Sequence, residues 1–134
     1  MITITRFSGE INQMPEGLLL MQWNERSGIE VIDQYPEAIE RKFSKKTFLQ
    51  IFNMHQYSRK RGIAWINLDS VNLVSYYSGP QSNYFLVLLL NILEDPEDYE
   101  EKLEAHANNL LNDAINPEEY KDMLPKIFQT FKLN

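Results

Sequence analysis

Two apolar runs, Gly17–Trp23 and Tyr84–Leu93, constrain the fold more than any other feature of the sequence. Both are far shorter than the roughly 20 apolar residues that a membrane-spanning helix needs. A short apolar run with no polar alternation predicts a strand that is buried on both faces. Such a strand also needs a neighbour at each border, so we expect the two runs to lie side by side in the middle of one sheet.

Three further segments also predict strands. Ile29–Tyr35 alternates apolar with polar residues, and the turn residues Asn24–Gly28 join it to the first apolar run as a hairpin. Ile63–Leu68 and Val71–Tyr77 are separated by the short turn Asp69–Ser70, which predicts a second hairpin.

Helices are predicted between and after the strands. Ser44 can cap a helix that ends by Gly62, because its hydroxyl can accept from a free N–H group of the first turn. Asp95–Asp98 and Asn116–Glu119 each place a capping side chain before a proline and acids, which predicts two closing helices. Pro125 removes a hydrogen bond from the last helix and predicts a kink or a restart there. The apolar stripe of the first helix consists of Phe48, Ile51, Phe52 and His55.

This element order predicts an α+β fold, an α-β-α sandwich built on a five-stranded, mainly antiparallel sheet in the order 2-1-5-4-3. One helix covers one face of the sheet, and the two C-terminal helices cover the other. Residues 17–134 are expected to form a single domain, preceded by an N-terminal extension, residues 1–16, that is either an edge strand or a flexible tail. Because the chain has no cysteine and begins with no secretion signal, we expect a cytoplasmic protein.

The strand order and several segments resemble the longin-domain family, which belongs with roadblock-like and profilin-like domains. The resemblance rests on the opening hairpin Leu18–Ile32 and on the later block Asn83–Leu111, and it covers roughly residues 17 to 131. Tyr76–Pro80 and Asp95–Tyr99 are similar to segments of small, free-standing archaeal longins.

The resemblance implies a protein that binds other proteins rather than one that transforms a substrate. It implies an adaptor or scaffold of the kind that serves small-GTPase regulation and vesicle trafficking. The partners that it implies are a small GTPase, another longin or roadblock domain, or a second copy of the chain.

Sequence motifs for catalysis and cofactor binding are missing. The chain contains neither a Gly-x-Ser-x-Gly elbow nor a glycine-rich phosphate loop, and its five glycines are not clustered. Its two histidines form no His-Glu-x-x-His motif; we interpret His55 as a packing residue and place His106 near the rim of its helix. The sequence therefore predicts no enzyme, no cofactor and no metal site.

Charge is distributed unevenly along the chain, whose formal net charge is −6. Ser44–Gly62 contains five basic residues and no acid, whereas Glu94–Glu119 contains ten acids and one lysine. These segments are either solvated faces that complement helix dipoles or two patches that steer a partner. The basic segment would meet protein or, weakly, lipid headgroups, and the negative net charge disfavours nucleic acid. Its basic residues are Lys45, Lys46, Arg59, Lys60 and Arg61.

The predicted strand Ile63–Leu68 lies at a border of the sheet and contains no charged residue. An unprotected border presents unpaired N–H and C=O groups that invite another strand, so we expect an interface at this strand or at the first helix. The expected anchors, besides Ile63, are Trp65, Tyr76 and Tyr77, because large aromatic residues dominate interface energetics. The alternative is that all three aromatic residues belong to the core.

Two other functions stay open at the level of sequence. A profilin-like domain would bind a cytoskeletal protein or a proline-rich peptide through exposed aromatic residues between the terminal helices. A small-molecule sensor or minor enzyme would use a pocket lined by Tyr76, Tyr77 and Tyr84.

Overall fold

A computed structural model describes residues 15–68, 70–111 and 123–133 of the chain. Most of the expected N-terminal extension and the cap Asn116–Glu119 lie outside these residues. The described strands are β1 Gly17–Asn24, β2 Gly28–Tyr35, β3 Gly62–Leu68, β4 Val71–Tyr77 and β5 Tyr84–Leu89. The described α-helices are α1 Lys45–Gln56, α2 Glu100–Leu111 and α3 Met123–Leu133, and two short 3₁₀ helices are Ile39–Lys42 and Pro96–Tyr99.

The strands form one antiparallel sheet in the order β2-β1-β5-β4-β3, as the sequence predicts. β1 and β5 are direct neighbours, with Gly17 opposite Leu89 and Gln22 opposite Tyr84. β1 is buried from Gly17 to Met21 and β5 is buried from Phe85 to Leu89, as expected for the two apolar runs. β1 pairs with β2 on its other side, where the register shifts between Leu20 and Met21.

An apolar core lies on each face of the sheet, because alternate residues of the inner strands point to opposite faces. The α1 core contains the buried residues Leu19, Met21, Ile39, Phe43, Ile51, Leu73, Tyr77, Phe85, Val87 and Leu89. The α2–α3 core contains Leu18, Leu20, Val74, Tyr76, Leu86, Leu88, Leu90, Tyr99, Leu103, Ala107, Leu110, Leu111, Leu124, Ile127, Phe128 and Phe131. The helices therefore lie in the predicted layers, α1 on one face and α2 with α3 on the other.

β5 ends at Leu89, four residues before the predicted end at Leu93. The chain leaves the sheet because polar groups fold it into a turn. The side-chain amide of Asn72 donates to the carbonyl oxygens of Asn91 (2.8 Å) and Glu94 (2.6 Å). The backbone N–H of Asn91 in turn donates to the Glu94 carboxylate. The apolar character of the run continues past the point where hydrogen bonding to β1 stops.

α1 ends at Gln56, well before the predicted stop at Gly62. Arg59 adopts a left-handed conformation with φ of 58°, which turns the chain out of the helix. Its N–H donates to the carbonyl oxygen of His55 (3.1 Å), and the Ser58 hydroxyl donates to the same oxygen. The left-handed residue that ends the helix is therefore an arginine and not the glycine that the sequence suggests.

The predicted helix caps at Ser44 and Asp95 are confirmed. The Ser44 hydroxyl accepts from the N–H of Thr47 (3.1 Å), and the Asp95 carboxylate accepts from the N–H of Glu97 (3.0 Å). The first turn after Asp95 is 3₁₀ before the chain continues as α2. Pro125 lies within α3, and the residues that precede Met123 are outside the described part of the chain.

Candidate functional site

β3 forms an open border of the sheet. It pairs with β4 on one side, and no other described strand lies on its outer side. Trp65 is 43% exposed and Leu68 is 51% exposed, and the strand contains no charged residue. Ile63 and Ile66 are partly buried and pack against opposite cores, which holds the strand in place. The backbone groups on the outer side of β3 are therefore positioned to pair with an added strand.

An open groove of about 750 Å³ lies between α1 and β3. Its helical side ends at Tyr57, whose side chain is 95% exposed directly after α1. Leu49 is also exposed, and it lies two helical turns before Tyr57 on the same side of the helix. The residues that line the groove are Gln50, Asn53, Met54, Tyr57, Trp65, Ile66, Asn67 and Leu68.

Tyr76 and Tyr77 are core residues, with exposed fractions of 2% and 1%. Tyr76 points to the α2–α3 core, where its hydroxyl donates to the side-chain oxygen of Asn108 (2.9 Å). Tyr77 points to the α1 core, donates to the side-chain oxygen of Asn83 (2.6 Å) and stacks on Phe85. Their prediction as surface anchors is wrong, because β4 is an inner strand with both faces covered. Trp65 alone of the three aromatic residues lies at the surface.

The pocket expected between Tyr76, Tyr77 and Tyr84 is not formed. Tyr84 packs against the α2–α3 core together with Tyr76, whereas Tyr77 lies on the other side of the sheet. Phe128 and Phe131 of the last helix are buried and therefore unavailable for a profilin-like site, whereas Tyr120 lies outside the described residues.

The five basic residues lie in two groups rather than in one patch. Lys45 and Lys46 are exposed in the first turn of α1, and Arg59, Lys60 and Arg61 are exposed in its connection to β3. The 12 residues of α1 separate the groups by about 18 Å. Because α1 runs alongside β3, the groups lie at opposite ends of the groove.

The neighbours of α1 and β3 show which parts of the fold lie at each end of the groove. Lys42 and Ser70 line the same small cavity, so the start of α1 lies beside the turn between β3 and β4. Arg61 directly precedes β3 at the other end. Its charge acts on the Tyr76 hydroxyl, which lies on the α2–α3 face of the sheet, opposite the groove. Lys42 itself forms an ion pair with Glu16.

The acids at the start of α2 are distant from β3 in the sequence, but the 3₁₀ helix Pro96–Tyr99 and α2 both lie near β3 in the fold. Glu97 and Asp98 are exposed in the 3₁₀ helix, and the first turn of α2 continues with Glu100 and Glu101. Acids in this position complement the positive end of the helix dipole. The later acids of the segment, beginning with Asp113, lie outside the described residues.

His55 is a buried packing residue, as predicted. Its Nε2 lies 2.9 Å from the hydroxyl oxygen of Ser75, and its ring packs against Tyr77 and Phe85. Burial lowers the pKa of His55 to about 4, so the ring is neutral at pH 7. Ser75 is fully buried under α1, so this pair holds the helix against the sheet.

His106 occupies a partly buried position between α2 and α3. Its Nε2 lies 2.9 Å from the hydroxyl oxygen of Thr130, and burial lowers its pKa. In the described part of the chain, no group of three histidine, aspartate or glutamate side chains is arranged to hold a metal ion.

Two features of the structure have no clear signal in the sequence. The sequence predicts a helix that reaches Gly62, so Tyr57 is expected in the middle of a helix and not, as observed, exposed at its end beside the groove. Glu94 looks like one more solvated acid, but it is buried and accepts a hydrogen bond from the Tyr99 hydroxyl. Burial and this hydrogen bond raise the pKa of Tyr99. The Glu94–Tyr99 pair fixes the turn after β5 to the start of the α2 layer.

Comparison of the chain with protein-family models, with curated proteins and with solved structures found no match. Within the described ranges, no helix is long and apolar enough to cross a membrane.

Proposed function

We propose that this chain is a non-catalytic protein-interaction module, an adaptor or scaffold that binds a partner along β3 and α1. The observation that carries the proposal is the uncharged border of β3, which no described strand covers and which lies beside an apolar groove. A partner strand would pair with the β3 backbone, and its side chains would contact Trp65 and the exposed side of α1. Exposed aromatic and aliphatic side chains at such a border are a common feature of binding surfaces.

The partner class that we propose follows from the resemblance to longin domains. It is a small GTPase or another longin or roadblock domain, with a second copy of the chain as a further possibility. The module would act in the cytoplasm, in small-GTPase regulation or vesicle trafficking.

The proposal is tested by placing a charge on the open border. Asn67 is exposed on β3, and Asn67→Lys adds the kind of residue that protects sheet borders. We expect the tagged variant to keep the circular dichroism spectrum of the unmodified chain. We also expect it to lose the partners, small GTPases among them, that the unmodified chain captures from native lysate.

Asn109→Lys is the matched control, because it makes the same change at an exposed position of α2, on the other face of the sheet. It should retain every partner of the unmodified chain. Equal partner retention by the Asn67→Lys and Asn109→Lys variants would contradict the proposed surface.

A further inference from the structure

The charges around the groove indicate what kind of segment binds there, an inference that rests on the proposed function. From Ser44 to Leu68 the sequence contains five basic residues and no acid. The middle of the groove is uncharged, and the cations lie at its two ends. Asp69, the next acid in the sequence, lies outside the described residues.

We infer that the β3 border binds an extended partner segment that is uncharged in its middle and acidic at both ends. The seven residues of β3 span about 23 Å, which is close to the separation of the two basic groups. A segment paired along β3 would therefore place its ends beside Lys45 and Lys46 on one side and beside Arg59 and Lys60 on the other. Acidic residues at those ends would meet cations that have no acidic neighbour in their own segment.

The same charges disfavour a second copy of this chain as the occupant. If β3 paired with β3 of another copy in antiparallel fashion, a two-fold axis would also make the two α1 helices antiparallel. The start of one α1 would then face the end of the other, so Lys45 and Lys46 would approach Arg59 and Lys60. Like charges placed opposite one another oppose such pairing.

Two capped nine-residue peptides test the inference. In both, the five middle residues alternate between valine and threonine. One peptide has two glutamates at each end, and the other has two lysines at each end. We expect the glutamate peptide to bind at least tenfold more tightly at 50 mM NaCl, measured by fluorescence anisotropy with a labelled peptide. The preference should diminish at 500 mM NaCl, because salt screens exposed charges. Amide chemical-shift changes should be confined to β3 and α1.

Charge reversal gives the sharper test. Lys60→Glu should weaken binding of the glutamate peptide and strengthen binding of the lysine peptide. The double variant Lys45→Glu with Lys46→Glu, which reverses the charge at the other end of the groove, should change both affinities in the same directions. Lys126→Glu is the control, since Lys126 is exposed on α3 across the sheet. It should leave both affinities within twofold of their starting values.

The outcomes separate this inference from the proposed function. Equal affinities of the two peptides at β3 would overturn the charge preference while supporting the interaction module. Binding of neither peptide, or self-association of the chain through β3, would overturn the inference. The Asn67→Lys experiment decides the proposed function independently of these results.

Discussion

The two borders of the sheet differ in how they meet solvent. β2 carries Glu30 and Asp33, has a register shift against β1 and is followed by a 3₁₀ helix that packs beside it. The Gln34 side chain ties the border to this helix: its amide donates to the Glu40 carboxylate (2.8 Å), and its oxygen accepts from the Glu40 N–H (2.9 Å). β3 has no charge, and only a groove separates it from α1.

Charges, irregular register and covering segments are the devices by which proteins protect sheet borders from other chains. β2 uses all three, whereas β3 has no charged residue and a regular register, and the 3₁₀ helix Pro96–Tyr99 lies near it. Since both borders belong to one sheet with the same backbone chemistry, the side chains and the covering helix make the difference.

The largest effect is expected from Gly17→Ala, which disturbs the cover of the β2 border. A Cβ atom on Gly17 would lie 2.7 Å from Cδ1 of the buried Ile39, at the start of the 3₁₀ helix. Overpacking of this kind should lower the free energy of unfolding by about 3 kcal/mol, measured by urea denaturation. In an Ile39→Ala background the same change should cost clearly less. Additive costs would show that the two residues do not clash.

Acid should weaken the β3 side of the molecule, where His55 holds α1 on the sheet. Its pKa is about 4 in the folded chain against 6.5 for an unperturbed histidine, so the unfolded state binds the proton first as the pH falls. This stability is present above pH 6.5 and is lost progressively towards pH 4. We expect the free energy of unfolding to fall by about 2 kcal/mol between pH 7 and pH 5 through this group.

His55→Gln should remove most of that pH dependence, since an amide can still bond to Ser75 and does not titrate. His106→Gln is the comparison, because His106 is less buried and should contribute less. Hydrogen exchange at pH 5 should rise in α1 and β3 before it rises in β2. Identical pH dependence of the His55→Gln variant and the unmodified chain would refute the assignment.

Removal of a charge from β2 should make this border of the sheet as open to pairing with another chain as the β3 border. One carboxylate oxygen of Asp33 is buried with no hydrogen-bond partner. Asp33→Val should therefore raise the free energy of unfolding by about 1 kcal/mol and at the same time promote self-association, measured by light scattering. Glu30→Val removes an exposed charge and should promote association without the gain in stability. A strictly monomeric Asp33→Val variant would argue against a protective role for the carboxylate.

The smallest effects concern the turns that lead into the two borders. Ala38 has φ of 64° before the 3₁₀ helix, and Arg59 has φ of 58° before β3. Glycine adopts this conformation without steric cost, so Ala38→Gly and Arg59→Gly should each raise the free energy of unfolding by about 0.5 kcal/mol. Differential scanning calorimetry would detect both changes. A loss of stability at either position would mean that its side chain makes a compensating contact.

The sheet order was predictable because there are few ways to bury two apolar strands on both faces and at both borders. Gly17–Trp23 and Tyr84–Leu93 both required two neighbours and two covered faces, which placed them together in the centre. The ends of the elements were less predictable. Leu90 remains apolar and buried after β5 has ended, and the turn depends on contacts with the distant Asn72.

The candidate site could be predicted only in part. The lack of charge in Ile63–Leu68 is visible in the sequence, and so are the basic residues in the first turn of α1 and after its end. Which aromatic residues face solvent is not visible, because Trp65 and Tyr76 occupy similar patterns on neighbouring strands. Their exposure depends on whether a strand is at the border or inside the sheet, and this is a property of the whole topology.

The pairing of β1 with β5 has a consequence for how the chain folds. β1 forms its hairpin with β2 early in synthesis, but its other neighbour is made only when the ribosome has reached Tyr84. Until then a mostly apolar strand has one unpaired side, which is the kind of surface that chaperones bind. Joining of these two strands over such a long loop is expected to be the slow step of folding, and mutations in this pair should delay folding more than they accelerate unfolding.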